Sequence, residues 1–314
     1  MYRIGIDFGG TNIAVGLVDE GMNIVAKESR PTNKGRSVDL MVADMADICK
    51  SLVCKAGIEL SQVESIGIAS PGTINSMTGE VECYHGMSLD HYPMVKILSG
   101  YLDGYKNIKI ANDANAAALG EVMAGAAKGA REAIMVTLGT GVGGGLIIGG
   151  KIYEGFNFSA AEIGHIVIEK DGLPCPCGRR GCWEQYSSAT GLIRMTKEAM
   201  ENNKESALWK VCPDIDKVNG KTVFDGVELG DDVAKTVLDK YYSYLACGLA
   251  NMVNIFQPEI LCIGGGICGQ GENLRAPIEK LVMEEQYAKT TAHKTKIVIA
   301  SLGNDAGIIG AAML

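Results

Sequence analysis

The sequence predicts an α/β protein of about two domains. Short apolar strands alternate with helical stretches along all 314 residues, and 47% of the residues are apolar with a mean hydropathy of +0.11. No Pro/Ser-rich linker separates the two halves. A chain of this length and composition can bury two cores, and we expect the domains to meet in a cleft, where ligands commonly bind.

The first half opens with three strands that follow one another directly. Alternating apolar residues in YRIGID, AVGLVDE and NIVAKES predict them, with a turn at residues 8–12 between the first two. Apolar residues at helical spacing predict a helix over 38–56, and SIGIAS predicts a strand over 65–70. A further strand, IKIAND, ends at Asn112 and Asp113, which places two polar side chains at its carboxyl end.

The second half repeats this arrangement. The run EAIMVTL, a turn at Gly139–Gly145, and the runs LIIGG and KIYEG parallel the opening strands. A long helix over Asp232–Phe256, strands in EILCIGGG and KIVIAS and a last helix in AGIIGAAML complete the pattern. We therefore predict a smaller domain of residues 1–115 plus a C-terminal helix at about 303–314, and a larger domain of residues 116–302.

The charge balance argues against nucleic-acid and membrane partners. The chain carries 29 Lys+Arg against 37 Asp+Glu, a net charge of −8, without long runs of one sign. Asp7 interrupts the stretch in which a secretion signal would need continuous apolar residues, and polar residues break the apolar segment 241–267. We expect a cytoplasmic protein, whose ten cysteines are then reduced.

The turn in DFGGTN has the composition of a phosphate-binding loop. Gly9 and Gly10 allow the backbone to point N–H groups at an anion, and Thr11 adds a hydroxyl donor. Asp7 could hold Mg²⁺, which prefers carboxylate and phosphate oxygens. The alternatives are a purely structural turn and an aspartate that only caps it.

Two later glycine clusters strengthen the phosphate-binding interpretation. Gly139, Thr140 and Gly141 occupy the same position in the second half as DFGGT does in the first. Gly265 and Gly266 follow the apolar strand ILCI, at the strand end where α/β proteins bind ligands. The alternative for this third cluster is a structural turn that only connects the strand to the following helix.

Asp113 is the candidate catalytic base. Phosphoryl transfer to an alcohol needs a carboxylate that orients the hydroxyl and accepts its proton, and Asp113 stands at a strand end beside Asn112. The competing interpretation is a helix N-cap, since aspartate is a preferred capping residue and the small-residue run AAALGE follows.

The segment CPCGRRGC predicts a structural zinc site. It places Cys175, Cys177 and Cys182 in one tight loop, and His165 lies ten positions upstream of the first cysteine. Three thiolates and one imidazole form a closed tetrahedral site without an open position for catalysis, whereas free thiols are the alternative. Glu162 and Glu184 flank these ligands and would be held near them, unless they form a solvated surface pair.

The motifs DFGGTN, SPG, NDANAAALGE, TLGTGVGGG, EIGH and CPCGRRGCWE, in this order, resemble the ROK family of sugar kinases and sugar-responsive repressors. The resemblance spans nearly the whole chain, and the EIGH and cysteine motifs are its most specific part. It implies an actin-like ATPase (ribonuclease H-like) fold of two α/β domains around a cleft. It also implies a homodimer or homotetramer.

The resemblance further implies a glycolytic kinase that transfers phosphate from ATP, with Mg²⁺, to the 6-hydroxyl of a hexose, with glucose as the first expectation. Asp113 would be the base, and His165 would serve both zinc and sugar. The implied sugar-binding residues are Gly72, Asn112, Asp113, Glu162, His165 and Glu184. The implied nucleotide-binding residues are Asp7, Gly9, Gly10, Thr11, Asn12, Gly139, Thr140, Gly141, Gly265 and Gly266.

One segment departs from the family pattern. Many ROK kinases carry Asn-Asn-Leu after the Ser-Pro-Gly strand, whereas this chain reads YHGM at 84–87, without that sugar-binding asparagine. The missing asparagine leaves kinases for N-acetylmannosamine, allose or fructose open as alternatives. Two further alternatives are polyphosphate as the phosphoryl donor and a non-catalytic sugar-responsive regulator. A repressor is not expected, because only six residues precede Asp7 and the chain is acidic.

Overall fold

Strands and helices alternate through the first part of the chain in the computed structural model, which describes residues 1–84, 86–87 and 89–314. A short 3-10 turn at Leu60–Gln62 precedes the fourth strand. The elements are β1 (Tyr2–Phe8), β2 (Asn12–Val18), β3 (Ile24–Pro31), α1 (Val38–Lys55), β4 (Val63–Ser70), β5 (Thr73–Asn75), β6 (Glu80–Cys83), α2 (Met94–Tyr101), β7 (Ile108–Asn112) and α3 (Asp113–Ala124).

The remainder of the chain has the same alternation with more helix. Its 3-10 turns are at Ile163–His165, Ile215–Lys217, Gly266–Gln270 and Gly303–Asp305. The elements are β8 (Ala133–Leu138), β9 (Val142–Ile148), β10 (Lys151–Ile152), α4 (Glu184–Ser187), α5 (Ala189–Asn202), α6 (Leu208–Val211), α7 (Thr222–Glu228), α8 (Asp232–Phe256), β11 (Ile260–Gly264), α9 (Glu272–Glu285), β12 (Lys296–Ile299) and α10 (Ala306–Ala312).

Two five-stranded sheets share one strand order. The first runs β3-β2-β1-β4-β7 and the second β10-β9-β8-β11-β12, so each begins with three sequential strands and continues with two that are reached by crossovers. In the first sheet β1 pairs antiparallel with β2 and parallel with β4, and β4 pairs parallel with β7. The mixed α/β architecture and the internal repeat predicted from the sequence are therefore present.

The first sheet is packed against α1 along the predicted apolar stripe. Met41, Met45, Ile48 and Leu52 are fully or almost fully buried, together with Ile4, Ile6 and Phe8 of β1. Spacing of three and four residues places these helical side chains on one face. Burial of apolar side chains of this size contributes about 1.5–3 kcal/mol each, so this layer is a main source of stability for the sheet.

Glycines allow α10 to pack in direct backbone contact with the first sheet and α3. A Cβ on Gly5 of β1 would lie 1.8 Å from Ile308 O, and one on Gly67 of β4 would lie 1.7 Å from Ala311 O. On the other side, a Cβ on Gly310 would lie 1.7 Å from Ala116 O in α3. No side chain fits at these positions, so the last helix belongs to the core of the first sheet.

The chain divides into two compact units. The first comprises Met1–Met135, Gly145–Ala161 and Ser301–Leu314, and the second comprises Val136–Gly144 and Glu162–Ala300. The boundaries that the sequence suggests, near residues 115 and 302, stay a prediction. Within the described residues, no helix combines the length and apolar character needed to cross a membrane.

The second glycine turn is shorter than the sequence suggests. A turn over Gly139–Gly145 is expected, but β9 already begins at Val142. A Cβ on Gly145 would lie 2.6 Å from Ala114 O of α3, which explains a glycine inside a strand. The sequence pattern does not predict the hairpin of β5 and β6 or the helices α2, α4, α5, α6, α7 and α9.

Candidate active site

The first glycine turn, Gly9–Asn12, connects β1 to β2 and presents free backbone donors. Gly9 N–H donates to Asn12 O at 2.9 Å and closes the turn. Among the described residues, the N–H groups of Gly10 and Thr11 have no backbone acceptor. Thr11 and Asn12 are exposed. Two adjacent unpaired N–H groups in a glycine turn suit a phosphate oxygen.

Asp7, at the end of β1, is a half-buried carboxylate in an unfavourable electrostatic environment. A Cβ on Gly307 would lie 2.9 Å from its Cγ and Oδ2, so the backbone of α10 lies directly against it. Burial first, and then the negative charge of Asp113, raise the pKa of Asp7 to about 6, whereas Lys27 acts in the opposite direction. A divalent cation beside this oxygen would relieve both effects, so Asp7 fits a Mg²⁺ site.

The carboxyl ends of three parallel strands bring predicted residues together in the first unit. Asp7 is the penultimate residue of β1, Gly72 follows β4, Asn112 ends β7 and Asp113 comes directly after it. Asn112 Nδ2 donates to Gly72 O at 3.1 Å. This edge is where open α/β sheets bind ligands.

The side chain of Asn112, rather than that of Asp113, caps α3. Asn112 Oδ1 accepts hydrogen bonds from Ala114 N at 2.9 Å and Asn115 N at 3.3 Å. Asp113 is the first helical residue and is exposed, and its Oδ1 accepts from Ala114 N at 2.8 Å. The capping function is thus filled by Asn112, so the capping explanation for Asp113 loses its support.

The second glycine turn, Gly139–Gly141, is held by side chains of the second unit. Gly139 N–H donates to Gly141 O at 3.0 Å, and the Thr190 hydroxyl donates to Thr140 O at 2.8 Å. Glu184 Oε2 accepts from Val142 N at 3.1 Å, and a Cβ on Gly141 would lie 2.1 Å from that oxygen. The predicted sugar-binding residue Glu184 therefore also supports the predicted phosphate turn.

A cavity of about 380 Å³ adjoins the second turn. Gly139, Thr140 and Gly266 line it, together with Lys221 and Ile267, all from the second unit. Gly265 has φ 102°, and a Cβ there would lie 2.2 Å from Leu138 O, so only glycine allows this close approach of β11 to β8. The volume lies in the range of small-molecule sites.

His165, Cys175, Cys177 and Cys182 converge as the spacing predicts. Their ligand atoms all lie within 4.8 Å of one another. His165 Nδ1 is 3.6 Å from Cys175 Sγ, and Cys177 Sγ is 3.6 Å from Cys182 Sγ. Bonds of about 2.1 and 2.3 Å to a tetrahedral Zn²⁺ imply separations of roughly 3.5–3.8 Å between ligand atoms. This set of donors fits a structural zinc ion.

The surroundings of the cysteines favour bound thiolates. Hydrogen bonding from the Arg179 N–H lowers the pKa of the Cys177 thiol, whereas burial raises that of Cys182 to about 12. At neutral pH, only a bound cation would keep the Cys182 sulfur deprotonated. Next in the chain, buried Trp183 donates from Nε1 to Tyr244 O at 3.1 Å and anchors the loop to α8.

The predicted sugar-binding residues of the second unit lie around this loop. Contact of His165 Nδ1 with a sulfur leaves Nε2 for another partner. Glu162 is exposed, and its carboxylate has no hydrogen bond or ion pair within the described part of the chain. In the YHGM segment, His85 lies outside the described residues.

The sequence did not reveal two buried polar residues. Thr32, fully buried after β3, donates from Oγ1 to Gly9 O at 2.7 Å and from its N–H to Thr11 O at 2.8 Å. Glu121 of α3, also fully buried, accepts N–H bonds from Ala126, Ser301 and Leu302. The glutamate in NDANAAALGE was a visible signal, but its partners are distant in sequence.

Comparisons with known proteins cover the whole chain. The model of the ROK family matches residues 3–314. A glucokinase from Halalkalibacterium halodurans is 38% identical over 100% of this chain and 94% of its own length. A glucokinase from Thermotoga maritima is 36% identical over 99% of this chain and 96% of its own.

A solved structure extends the likeness to the fold. The crystal structure of a ROK family glucokinase from Streptomyces griseus, in complex with glucose and AMPPNP, is 33% identical and has a TM-score of 0.80. The match covers 100% of this chain and 98% of that one. The actin-like ATPase fold of ROK sugar kinases is thus the fold of this chain.

Proposed function

The chain belongs to the ROK family, and from this premise we propose that it is an ATP-dependent hexose kinase that phosphorylates the 6-hydroxyl of glucose. The glucokinase relatives, at 36–38% identity over nearly the whole chain, support glucose as the first substrate. AMPPNP in the similar S. griseus enzyme supports ATP as the donor.

The pair of Asp7 and Asp113 is the observation that carries the mechanism. Both stand at the carboxyl ends of strands in one sheet, Asp7 within β1 and Asp113 directly after β7, and they are close enough for the charge of Asp113 to raise the pKa of Asp7. The exposed carboxylate of Asp113 orients the sugar hydroxyl and accepts its proton as the oxygen attacks the γ-phosphorus. The bond from that phosphorus to the bridging oxygen breaks, and ADP leaves with the electron pair.

The glycine turns and Asp7 bind the phosphates. The unpaired N–H groups of Gly10 and Thr11, and the turn at Gly139–Gly141, donate to phosphate oxygens. The cavity lined by Gly266 and Ile267 accepts the base and ribose. Mg²⁺, held by Asp7, would neutralise phosphate charge during transfer.

The zinc site positions the sugar-binding residues. His165 and the three cysteines would hold Zn²⁺, which would fix the loop from which Glu162, His165 and Glu184 reach the sugar hydroxyls. Asn112 contributes the Nδ2 proton that Gly72 O does not take. Its Oδ1 is already used by the cap of α3, so its contact with sugar is as a donor.

The cellular setting forms part of the proposal. All ten cysteines are free, which suits a reducing cytoplasm and a role at the start of glycolysis. We propose a homodimer or homotetramer, as the family resemblance implies.

The test is ADP formation from ATP and Mg²⁺ with glucose, mannose, allose, fructose, N-acetylglucosamine and N-acetylmannosamine. We expect turnover with glucose, a loss of at least about 10²-fold in kcat for Asp113→Asn, and normal turnover for the exposed control Asp103→Asn. Normal turnover by Asp113→Asn would contradict the assigned base. Turnover of a different sugar would correct the substrate, and inactivity with all six would favour a regulator.

A further inference from the structure

A lysine that belongs to no recognised motif lies over the first glycine turn. A Cβ on Gly10 would lie 3.2 Å from both Cε and Nζ of Lys34. The side chain therefore lies over the backbone of the turn at Gly10, and the N–H groups of Gly10 and of the next residue, Thr11, are unpaired. An ammonium group beside two free backbone donors forms a site for a strongly charged anion.

The ammonium group of Lys34 has no carboxylate partner, unlike the basic residues around it. Lys27 pairs with Asp305, Arg36 with Asp44, and Lys55 with Glu28. Across residues 1–84, 86–87 and 89–314, no ion pair involves Lys34, which is exposed. Asp44 and Glu28 are thus paired with other bases, and Asp39 of α1 accepts from the Tyr92 hydroxyl, so the charge of Lys34 is available to a ligand.

The segment that carries Lys34 is fastened to the turn by Thr32. The Thr32 hydroxyl donates to Gly9 O at 2.7 Å and its N–H to Thr11 O at 2.8 Å. At the next residue the chain turns back, with Asn33 at φ 51° and Arg36 N–H donating to Asn33 O at 3.1 Å. Lys34 therefore projects from a short turn whose base is attached to the phosphate loop itself.

We propose that Lys34 is a catalytic residue that contacts the terminal phosphate of the nucleotide, and that Thr32 is its positioning residue. The proposal rests on the proposed kinase function and adds a residue to it. The ammonium group of Lys34 donates to the non-bridging oxygens of the γ-phosphoryl group. Charge on these oxygens is redistributed as the sugar oxygen bonds to phosphorus and the bond to ADP breaks, so a fixed cation there stabilises the transition state.

The test compares affinities for two nucleotides that differ by the terminal phosphate. Dissociation constants for AMPPNP and ADP, each with Mg²⁺, are measured by calorimetry for the wild type, Lys34→Met and the control Lys96→Met, which removes an exposed lysine from α2. We expect Lys34→Met to weaken AMPPNP binding roughly 10- to 100-fold and to leave ADP binding within about twofold. Lys96→Met should change neither.

The other outcomes overturn the proposal in distinguishable ways. Equal affinities in all three proteins would mean that Lys34 is a solvated surface lysine. Equal losses for AMPPNP and ADP would mean that it acts on the inner phosphates or on the loop. Normal AMPPNP binding by the wild type without turnover of any sugar would contradict the kinase function and, with it, the catalytic role of Lys34, even if Lys34→Met bound AMPPNP less tightly.

Thr32 has its own readout. We expect Thr32→Val to reproduce the selective loss for AMPPNP in part, because the hydroxyl that donates to Gly9 O is removed, and Thr32→Ser to restore it. Unchanged AMPPNP affinity in Thr32→Val, or a loss in Thr32→Ser as large as that in Thr32→Val, would contradict a positioning role for the hydroxyl.

Discussion

Charged side chains lie beside both glycine turns, but at the second turn the carboxylate is already hydrogen-bonded to the backbone of the protein. Asp7 and Lys34 flank Gly9–Asn12, and two of its N–H groups are unpaired. At Gly139–Gly141 the nearest carboxylate, that of Glu184, already accepts the Val142 N–H, and the Thr190 hydroxyl holds Thr140 O. The two turns therefore occupy equivalent positions in their sheets but differ in what they offer a ligand.

This difference separates two tasks of a phosphoryl-transfer site. Fixed charges stabilise a transition state most where charge is redistributed during the reaction. Asp7 and Lys34 place such charges beside the first turn. A turn held rigidly by neighbouring side chains suits the positioning of a part of the nucleotide that does not react. Since Glu184 lies two residues after Cys182, a proposed zinc ligand, the second turn is also connected to the loop that carries the cysteines.

The largest expected effect is at the first turn. Asp7→Asn should lower kcat about 10³-fold or more, since it removes the carboxylate proposed to hold Mg²⁺. Steady-state ADP formation at several Mg²⁺ concentrations measures this, with exposed Asp103→Asn as the control. A loss below tenfold would show that the charge at this turn is not needed for transfer.

Removal of the zinc site should act on the second turn. Cys177→Ser should lose the metal, lower stability by at least about 2 kcal/mol and lower the Tm by roughly 4 °C or more, with reduced sugar affinity. Metal analysis, a thermal melt and the KM for glucose measure these effects, and exposed Cys54→Ser is the control. Retained zinc and an unchanged Tm would contradict the structural metal site.

Asp7, beside the first turn, should lower the free energy of unfolding as the pH rises, which is the reverse of the usual effect of a carboxylate. Because the pKa of Asp7 rises from 3.8 unfolded to about 6 folded, the folded state binds more protons between these values, and this group lowers stability as pH rises through that window. Without ligands, Asp7→Asn should therefore be more stable than the wild type at pH 7, by about 1–3 kcal/mol, and the gap should shrink toward pH 4. Urea unfolding at both pH values tests this, and a gap independent of pH would contradict the raised pKa.

The smallest expected effect comes from the hydrogen bond between the Glu184 carboxylate and the Val142 N–H, which supports the second turn. Glu184→Ala leaves the buried Val142 N–H unpaired and should cost about 1–2 kcal/mol of unfolding free energy, whereas Glu184→Gln keeps an acceptor and should cost less than half of that. Chemical denaturation of both variants gives the comparison. Equal costs would show that the hydrogen bond to Val142 does not hold the second turn.

Elements with local signals were predictable from the sequence. The bounds of α8, Asp232–Phe256, follow from its apolar periodicity and from Asp231, whose side chain accepts from Ala234 N. The four proposed zinc ligands are recognisable from their spacing in the sequence, and the structure brings their ligand atoms together. The sequence predicts a turn through Gly145, whereas β9 already begins at Val142. The glycine at 145 is needed because it faces the backbone of α3, a contact that local composition does not reveal.

Residues whose roles depend on distant partners were not predictable. Lys34 lies 24 positions after Gly10 and belongs to no motif, and its closeness to the turn follows from the pairing of β2 with β3. Glu121 has partners at Ser301 and Leu302, some 180 positions away, so no spacing rule connects them. Ligand residues within one loop can be recognised from their spacing in the sequence. Contacts between loops that are distant in sequence become visible only in the folded structure.

The packing of α10 has a consequence for synthesis on the ribosome. Gly5 lies in β1 and Gly67 in β4, yet the backbone atoms that pack against them belong to Ile308 and Ala311 near the end of the chain. Domains usually fold in the order in which they are synthesised, at about 5–20 residues per second, but this sheet stays open on one face until nearly the whole chain has emerged. We expect the nascent N-terminal strands to expose that face for tens of seconds, which would make them natural clients for chaperones.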